Sequence, residues 1–339
     1  MIQNRYAVDF DGVMEENRLY VARDLSTDER VLIKIFSHNK HISADFIQNF
    51  IDVSTVINDI GSKYILKIKD VGEYYEDYKG YYFIAYEYIE GVELSELIKG
   101  NYLHPEAMIN ISIEILKALE SVNLIHKGVY SDGMHNINYH GSLKMQDIIV
   151  DKDYNIKIAD FGITAANRGK NIRAKGNYQY MSPHQLCIDY TDYESDLFAF
   201  GIILYEMIFK KRPFGIAFGE NDMLKRIDRG PDYSNLTVIK EYEDLVKIDK
   251  RLLSRKNKYK NFNEVIMAMT GIMYRTAEIK INPPEEELNA IDKKLMQTQK
   301  LEIEKIEKET KNKKSSIFKK AIVIALVSMF VVGLVVHYI

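Results

Sequence analysis

Apolar and polar positions alternate with a strand-like period over the first third of the chain, then shift to helical spacing. The runs 5–10, 18–23 and 30–36 predict strands. In the third, alternation puts Leu32, Lys34 and Phe36 on one face. A lysine between two apolar side chains needs a partner or a ligand there. Residues 44–60 predict a helix with Ser43 as its N-cap. A short helix follows at 94–99, and a longer amphipathic one at 105–122 is carried by Met108, Ile111, Ile115 and Leu119. The apolar runs 148–150 and 156–159 flank Asp151-Lys152-Asp153-Tyr154-Asn155, whose aspartates and asparagine are turn formers, so this stretch predicts a hairpin.

The pattern changes again after Pro283-Pro284. Residues 285–311 are dense in Glu and Lys. Leu288, Ile291 and Leu295 begin a heptad that Glu302 interrupts, which predicts a solvated helical stalk and leaves self-association open. Residues 321–339 contain no Asp, Glu, Lys or Arg. At about 1.5 Å per residue, a helix of that length nearly matches the hydrocarbon core of a bilayer. Lys313, Lys314, Lys319 and Lys320 precede it, so the positive-inside rule puts the larger N-terminal part in the cytoplasm. The chain is expected to be single-pass, anchored in the cell membrane by this segment. The start, MIQNRYAVDF, lacks the apolar core of a signal peptide.

Composition narrows the function classes. A length of 339 residues accommodates a two-lobed domain with segments to spare. A formal net charge of -3 argues against a nucleic-acid partner. The single cysteine, Cys187, excludes an internal disulfide framework and reads as a small buried hydrophobe.

Residues 139–162, YHGSLKMQDIIVDKDYNIKIADFG, resemble the protein-kinase family, whose catalytic loop H-R-D-L-K-x-x-N leads through two strands into D-F-G. Here D-F-G is complete as Asp160, Phe161 and Gly162. In the catalytic loop, Gly141 replaces the arginine, Ser142 the base aspartate and Asp147 the metal-binding asparagine, while Lys144 is kept. The resemblance makes His140 a core residue beneath Phe161. Of the three histidines nearby, His126 and His135 read as part of a polar surface insertion; a metal site would need convergent ligands. Upstream, 31–34 is similar to the V-A-I-K strand, with Lys34 as the phosphate-binding lysine and Leu32 in place of the alanine that touches adenine. The three phosphate-loop glycines become Gly12, Met14 and Asn17, beside Glu15 and Glu16. The helix glutamate that should pair with the lysine falls on Val53, and the neighbouring Asp52 is about 100° round the helix. Tyr86 is bulky just before the hinge, which starts with Glu87 and Tyr88. Downstream, 176–184 resembles G-T-x-x-Y-M-[SA]-P-E with Asn177 and His184 at altered positions, and Lys258 stands where the glutamate's arginine partner should be. The loop 163–175 holds one hydroxyl, Thr164, and the cations Arg168, Lys170, Arg173 and Lys175, which read as a solvated face or as a site for an acidic partner. Residues 195–207 resemble the buried central helix, with Asp196 supporting the catalytic loop, and Arg212-Pro213-Phe214 follows.

The resemblance implies an α+β, two-lobed protein-kinase-like fold: a β-rich N-lobe at 1–88, a helical C-lobe at 89–275, the stalk at 276–320 and a transmembrane helix at 321–339. It is similar in plan to bacterial Hanks-type Ser/Thr kinases. Phosphoryl transfer needs phosphate clamps, metal ions and a carboxylate that handles the acceptor proton. Ser142 has no carboxylate. The expectation is therefore a pseudokinase acting as a membrane-anchored scaffold or regulator with a protein partner. ATP and Mg²⁺ are the implied cofactors, through Lys34, Gly12, Leu32, Glu87 and Tyr88 for nucleotide and Asp160 and Asp147 for metal; whether they bind stays open. The alternatives are a weakly active Ser/Thr kinase and a binding subunit of a membrane secretion or envelope complex.

Overall fold

The computed structural model describes residues 1–10, 14–100, 103–123, 137–173, 176–234, 240–256 and 258–281. Gly12, His126, His135, Lys175, most of the expected stalk and the whole span 321–339 lie outside the described residues. Among the described residues no helix is long and apolar enough to cross a membrane. Met1–Tyr274 forms one compact unit.

Its first lobe is an antiparallel sheet of β1 (Tyr6–Val8), β2 (Leu19–Asp24), β3 (Glu29–Ser37), β4 (Ile68–Glu76) and β5 (Lys79–Glu87), in the order β1-β2-β3-β5-β4. Both faces of central β3 are buried. Leu32 and Phe36 face the main core, while Val31, Ile33 and Ile35 face a second cluster with Ile2, Tyr6, Phe83 and Ala85. The N-terminal residues thus cover the outer face of the sheet. Arg5 holds them there through Asp24 at 2.7 Å and Asp70 at 2.9 Å, and the Tyr6 hydroxyl donates to Asp70 at 2.7 Å.

Helix α1 (Phe46–Asp59) buries Phe46, Phe50, Val53, Val56 and Ile57 against the inner face. It starts later than its pattern predicts, and Ser43 does not cap it. The Ser43 N–H donates instead to Asn167 Oδ1 at 2.8 Å, so this residue is held by a loop of the other lobe. Asp45 takes the N-cap position without a side-chain cap bond.

The second lobe begins with β6 (Val92–Glu93), α2 (Leu94–Gly100) and α3 (Pro105–Asn123). The expected hairpin is β7 (Ile148–Val150) and β8 (Ile156–Ile158), antiparallel with Ile148 opposite Ile158. Asp151 Oδ1 shapes its turn by accepting from the N–H groups of Asp153 and Asn155. After the short α4 (Ile163–Ala166) and α5 (Pro183–Ile188) comes α6 (Tyr193–Phe209), buried on nearly every side. Asp192 caps it by accepting the Ser195 N–H at 2.9 Å. Helices α7 (Glu220–Arg229), α8 (Glu243–Leu252) and α9 (Phe262–Ile281) complete the lobe.

One expectation for this lobe changes. Cys187 is exposed. On α5 the inward residue is Gln185, and a residue two positions on lies about 200° round the helix, facing outward. Lys258 pairs with Glu194, and His184 sits on the surface 3.7 Å from Asp192. Lys258 and His184 both line a cavity of about 50 Å³ that Ser182, Leu197, Phe198 and Tyr259 also bound.

Candidate active site

Strand register builds the cleft. Leu32 lies directly opposite Tyr86 and Lys34 opposite Ile84, so the Lys34 ammonium and the Tyr86 phenol project from the same face of the sheet. The hairpin β7–β8 brings up the other half, with Asp147 on the 3-10 turn Met145–Asp147 just before it and Asp160 just after. Lys34 Nζ donates to Asp147 Oδ1 at 2.7 Å and to Asp160 Oδ2 at 2.5 Å. Lys144 Nζ joins them, 2.6 Å from Asp147 Oδ1 and 3.5 Å from Asp160 Oδ2. The Tyr86 hydroxyl donates to Asp160 Oδ1 at 2.8 Å and accepts the Asp160 N–H at 3.2 Å.

Two ammonium groups and two carboxylates therefore balance, and water barely reaches them. Lys34 and Asp147 are 0% exposed, Asp160 3% and Lys144 6%. Burial works against both charged forms, yet the opposite charges outweigh it. Lys34 is raised by Asp147 and Asp160, and Asp160 is held well below the usual carboxylate range by Lys34 and then Lys144. Burial, followed by Asp160, pushes the Tyr86 phenol well up, so it stays a donor. A buried ion cluster of this kind persists only where hydrogen bonds satisfy its charges, as they do here.

The loop before Lys144 is fixed just as closely. His140 is fully buried, its ring edge-on to Phe161 at 4.7 Å, with Nε2 donating to Ala159 O at 2.9 Å. Burial lowers its pKa, so the imidazole is neutral and Nδ1 accepts the Ser142 N–H at 3.3 Å. Asp196 accepts the N–H groups of His140 at 2.8 Å and Gly141 at 2.7 Å. Gly141 has φ +74°, and a Cβ there would lie 2.6 Å from Thr164 Oγ1. An arginine at Gly141 would meet both that contact and the left-handed backbone. The Gly141 carbonyl oxygen accepts from Asn171 at 2.9 Å and Gln185 at 2.6 Å. Thr164 is buried and donates to His140 O at 2.9 Å, which removes the one hydroxyl of the loop 163–175 from solvent.

Among the described residues, the other predicted site residues are engaged elsewhere. Val53 packs so closely on the backbone at Gly162 that a Cβ there would meet its Cγ1 at 2.6 Å, and Asp52 is exposed. Glu87 pairs with Lys157, and the Tyr88 ring carries the Arg30 guanidinium 3.8 Å above it. Met14 packs on the outer core cluster, and Asn17 has φ +65° with its N–H donating to Ile35 O. Glu16 accepts from Ser37, so it folds back on β3. Arg18 reaches Glu96 at 3.6 Å, and the Leu19 N–H donates to Glu93 at 3.4 Å, tying β2 to the second lobe. Two cations of the basic loop are also engaged: Arg168 by Asp45, Arg173 by Asp189 and Glu220. Among the described residues no three His, Cys, Asp or Glu converge as a metal site.

By the resemblance, ATP·Mg²⁺ would take Lys34 for its phosphates and carboxylate oxygens for its metal. All of these are bound to one another, and Tyr86 and Leu32 fill the face beside them. The residues as arranged do not fit the group. The bulk of Tyr86 is legible in the sequence, but its bond to Asp160 is not, because it depends on how β3 pairs with β5.

A family model described as the protein kinase domain matches residues 16–320. Serine/threonine-protein kinase PrkC of Bacillus subtilis is 31% identical over 201 residues, 58% of this chain and 29% of that protein. A probable serine/threonine-protein kinase of Clostridium acetobutylicum is 29% identical over 280 residues, 80% of this chain and 40% of its own length. Tyrosine-protein kinase MasK of Myxococcus xanthus is 27% identical over 222 residues, 63% of this chain and 33% of that protein. The chain therefore spans less than half the length of these relatives.

Proposed function

The chain belongs to the protein kinase family, and on that premise we propose that it is a pseudokinase: a kinase-fold scaffold or regulator that binds a protein partner and holds its nucleotide cleft shut. Protein kinases generally use ATP and Mg²⁺. The observation that carries the reading is Lys34, with no exposed surface and bound to both Asp147 and Asp160. Ser142 supports it, since a hydroxyl cannot take the acceptor's proton at neutral pH. Loss of a positioned base typically lowers rate by about 10²–10⁴. Neither cleft carboxylate stands in for it, because each already accepts from lysine. The apolar span 321–339, with the lysines before it, supports a membrane tether with the kinase-like domain on the cytoplasmic side.

The test uses the full chain in detergent. Calorimetric titration with ATP·Mg²⁺ is expected to show no saturable binding. Transfer of labelled phosphate should not exceed that of a Lys34→Ala, Asp160→Ala variant. Transfer that this double substitution abolishes would establish a weakly active Ser/Thr kinase instead. The tether predicts that the protein stays with membranes after an alkaline carbonate wash; release into the supernatant contradicts it.

A further inference from the structure

We infer that Tyr86 and Asp147 form a latch that keeps the cleft closed, and that removing both the phenol oxygen and the extra carboxylate reopens it to a nucleoside triphosphate. The inference rests on the reading above and names what enforces it. Each acceptor on the two aspartates is occupied. Asp160 Oδ1 takes the Tyr86 hydroxyl at 2.8 Å, and Oδ2 takes Lys34 at 2.5 Å. Asp147 Oδ1 takes Lys34 at 2.7 Å and Lys144 at 2.6 Å, while Oδ2 takes the Lys144 N–H at 3.1 Å.

Tyr86 is placed for this by its register opposite Leu32, which aims it past Lys34 toward the end of β8. One oxygen binds both the carboxylate and the N–H of Asp160, fixing that residue at φ +65°. Phenylalanine would fill the same volume and make neither bond. The role of Asp147 is electrostatic. An asparagine has one side-chain oxygen and no charge, so it cannot serve two ammonium groups and a backbone N–H together. With aspartate the cluster is neutral and offers no field to draw a polyanion inward. With asparagine it carries one net positive charge, and Lys34 is freed to meet a phosphate. Both side chains act through Lys34 and Asp160, so they are positioning residues.

The experiment is titration of the full chain in detergent with ATP·Mg²⁺. The variants are Tyr86→Phe, Asp147→Asn, the two combined, and Leu32→Ala as an enlargement that leaves the latch intact. The combined variant should bind at least about tenfold more tightly than the original chain, because a larger fraction of it is in the open state. Each single variant should fall between, and Leu32→Ala, which enlarges the face and leaves the latch in place, should gain clearly less than the combined variant. A combined variant that melts cooperatively yet does not bind overturns the latch and leaves the pseudokinase reading standing. So does a Leu32→Ala chain that binds as well as the combined variant, since volume would then be the barrier. Tight binding by the unaltered chain defeats the underlying reading itself. If the combined variant fails to fold, hydrogen exchange of Tyr86→Phe decides: exchange at the Asp160 amide should speed up at least about tenfold, and unchanged exchange overturns the latch.

Discussion

Gly141 and Ser142 are adjacent departures from the kinase catalytic loop, and they differ in what reversal would do. Gly141 is held at φ +74° with Thr164 pressed against it. Gly141→Arg should lower stability by at least about 1–3 kcal/mol from backbone strain alone, with the clash adding to it. A melting temperature unchanged by that substitution contradicts the packing described. Ser142→Asp meets no such obstacle, because Ser142 is half-buried at the edge of the cleft. It should fold normally and still transfer no labelled phosphate from ATP·Mg²⁺, because Lys34 and Asp160 remain engaged. Transfer above the Asp160→Ala background would show that the missing base was the only defect. Motif spacing brought Lys34, Lys144, Asp147 and Asp160 to notice one at a time. What it could not reveal was that they saturate each other. That depends on a β3–β5 register and on the reach of a phenol 74 positions from its acceptor in the chain.

Elements were the most legible level, because period and turn chemistry are local. The β7–β8 hairpin and helix α3 follow their patterns almost residue for residue. Departures from pattern lie where a distant segment intervenes, as where Asn167 holds the Ser43 backbone and α1 starts only at Phe46. Gln185 likewise turned inward to Gly141 and left Cys187 facing out. The contact of α1 with Gly162 shows the same dependence. The resemblance puts Val53 where an active kinase keeps its glutamate, so Val53→Glu looks like a restoration. In this packing it inserts a carboxylate among Phe50, Ile57 and the backbone at Gly162, while Lys34 already has two partners. The expected outcome is destabilisation by roughly 3 kcal/mol or more, read as a fall in melting temperature. An unchanged or raised melting temperature would mean that α1 can deliver the new side chain to Lys34.

For the molecule as a whole, the buried acids predict a pH profile. Burial raises Asp196 to about 7 against its two backbone hydrogen bonds. It also raises Glu206, and it raises Asp249 well above the usual range. Each keeps a proton when folded that it releases when unfolded, so its stabilisation is complete below about pH 4 and lost as pH rises through the folded value. His140, lowered by burial, acts oppositely as pH falls through about 6.5. Asp24 and Asp160, both lowered, lose their stabilisation only below about pH 4. Among the described residues these raised carboxyls, with Glu120 raised by burial as well, outnumber the one lowered imidazole, so melting temperature should fall from pH 5.5 to 8, roughly 2–4 °C for each kcal/mol lost. A flat or rising profile contradicts this assignment. The outward-facing sulfur on α5 has a practical consequence of its own. With a single cysteine in the chain, a maleimide dye attaches at Cys187 alone and needs no background of replaced thiols. The unaltered protein thus comes with an addressable spectroscopic reporter on its larger lobe, ready for partner searches.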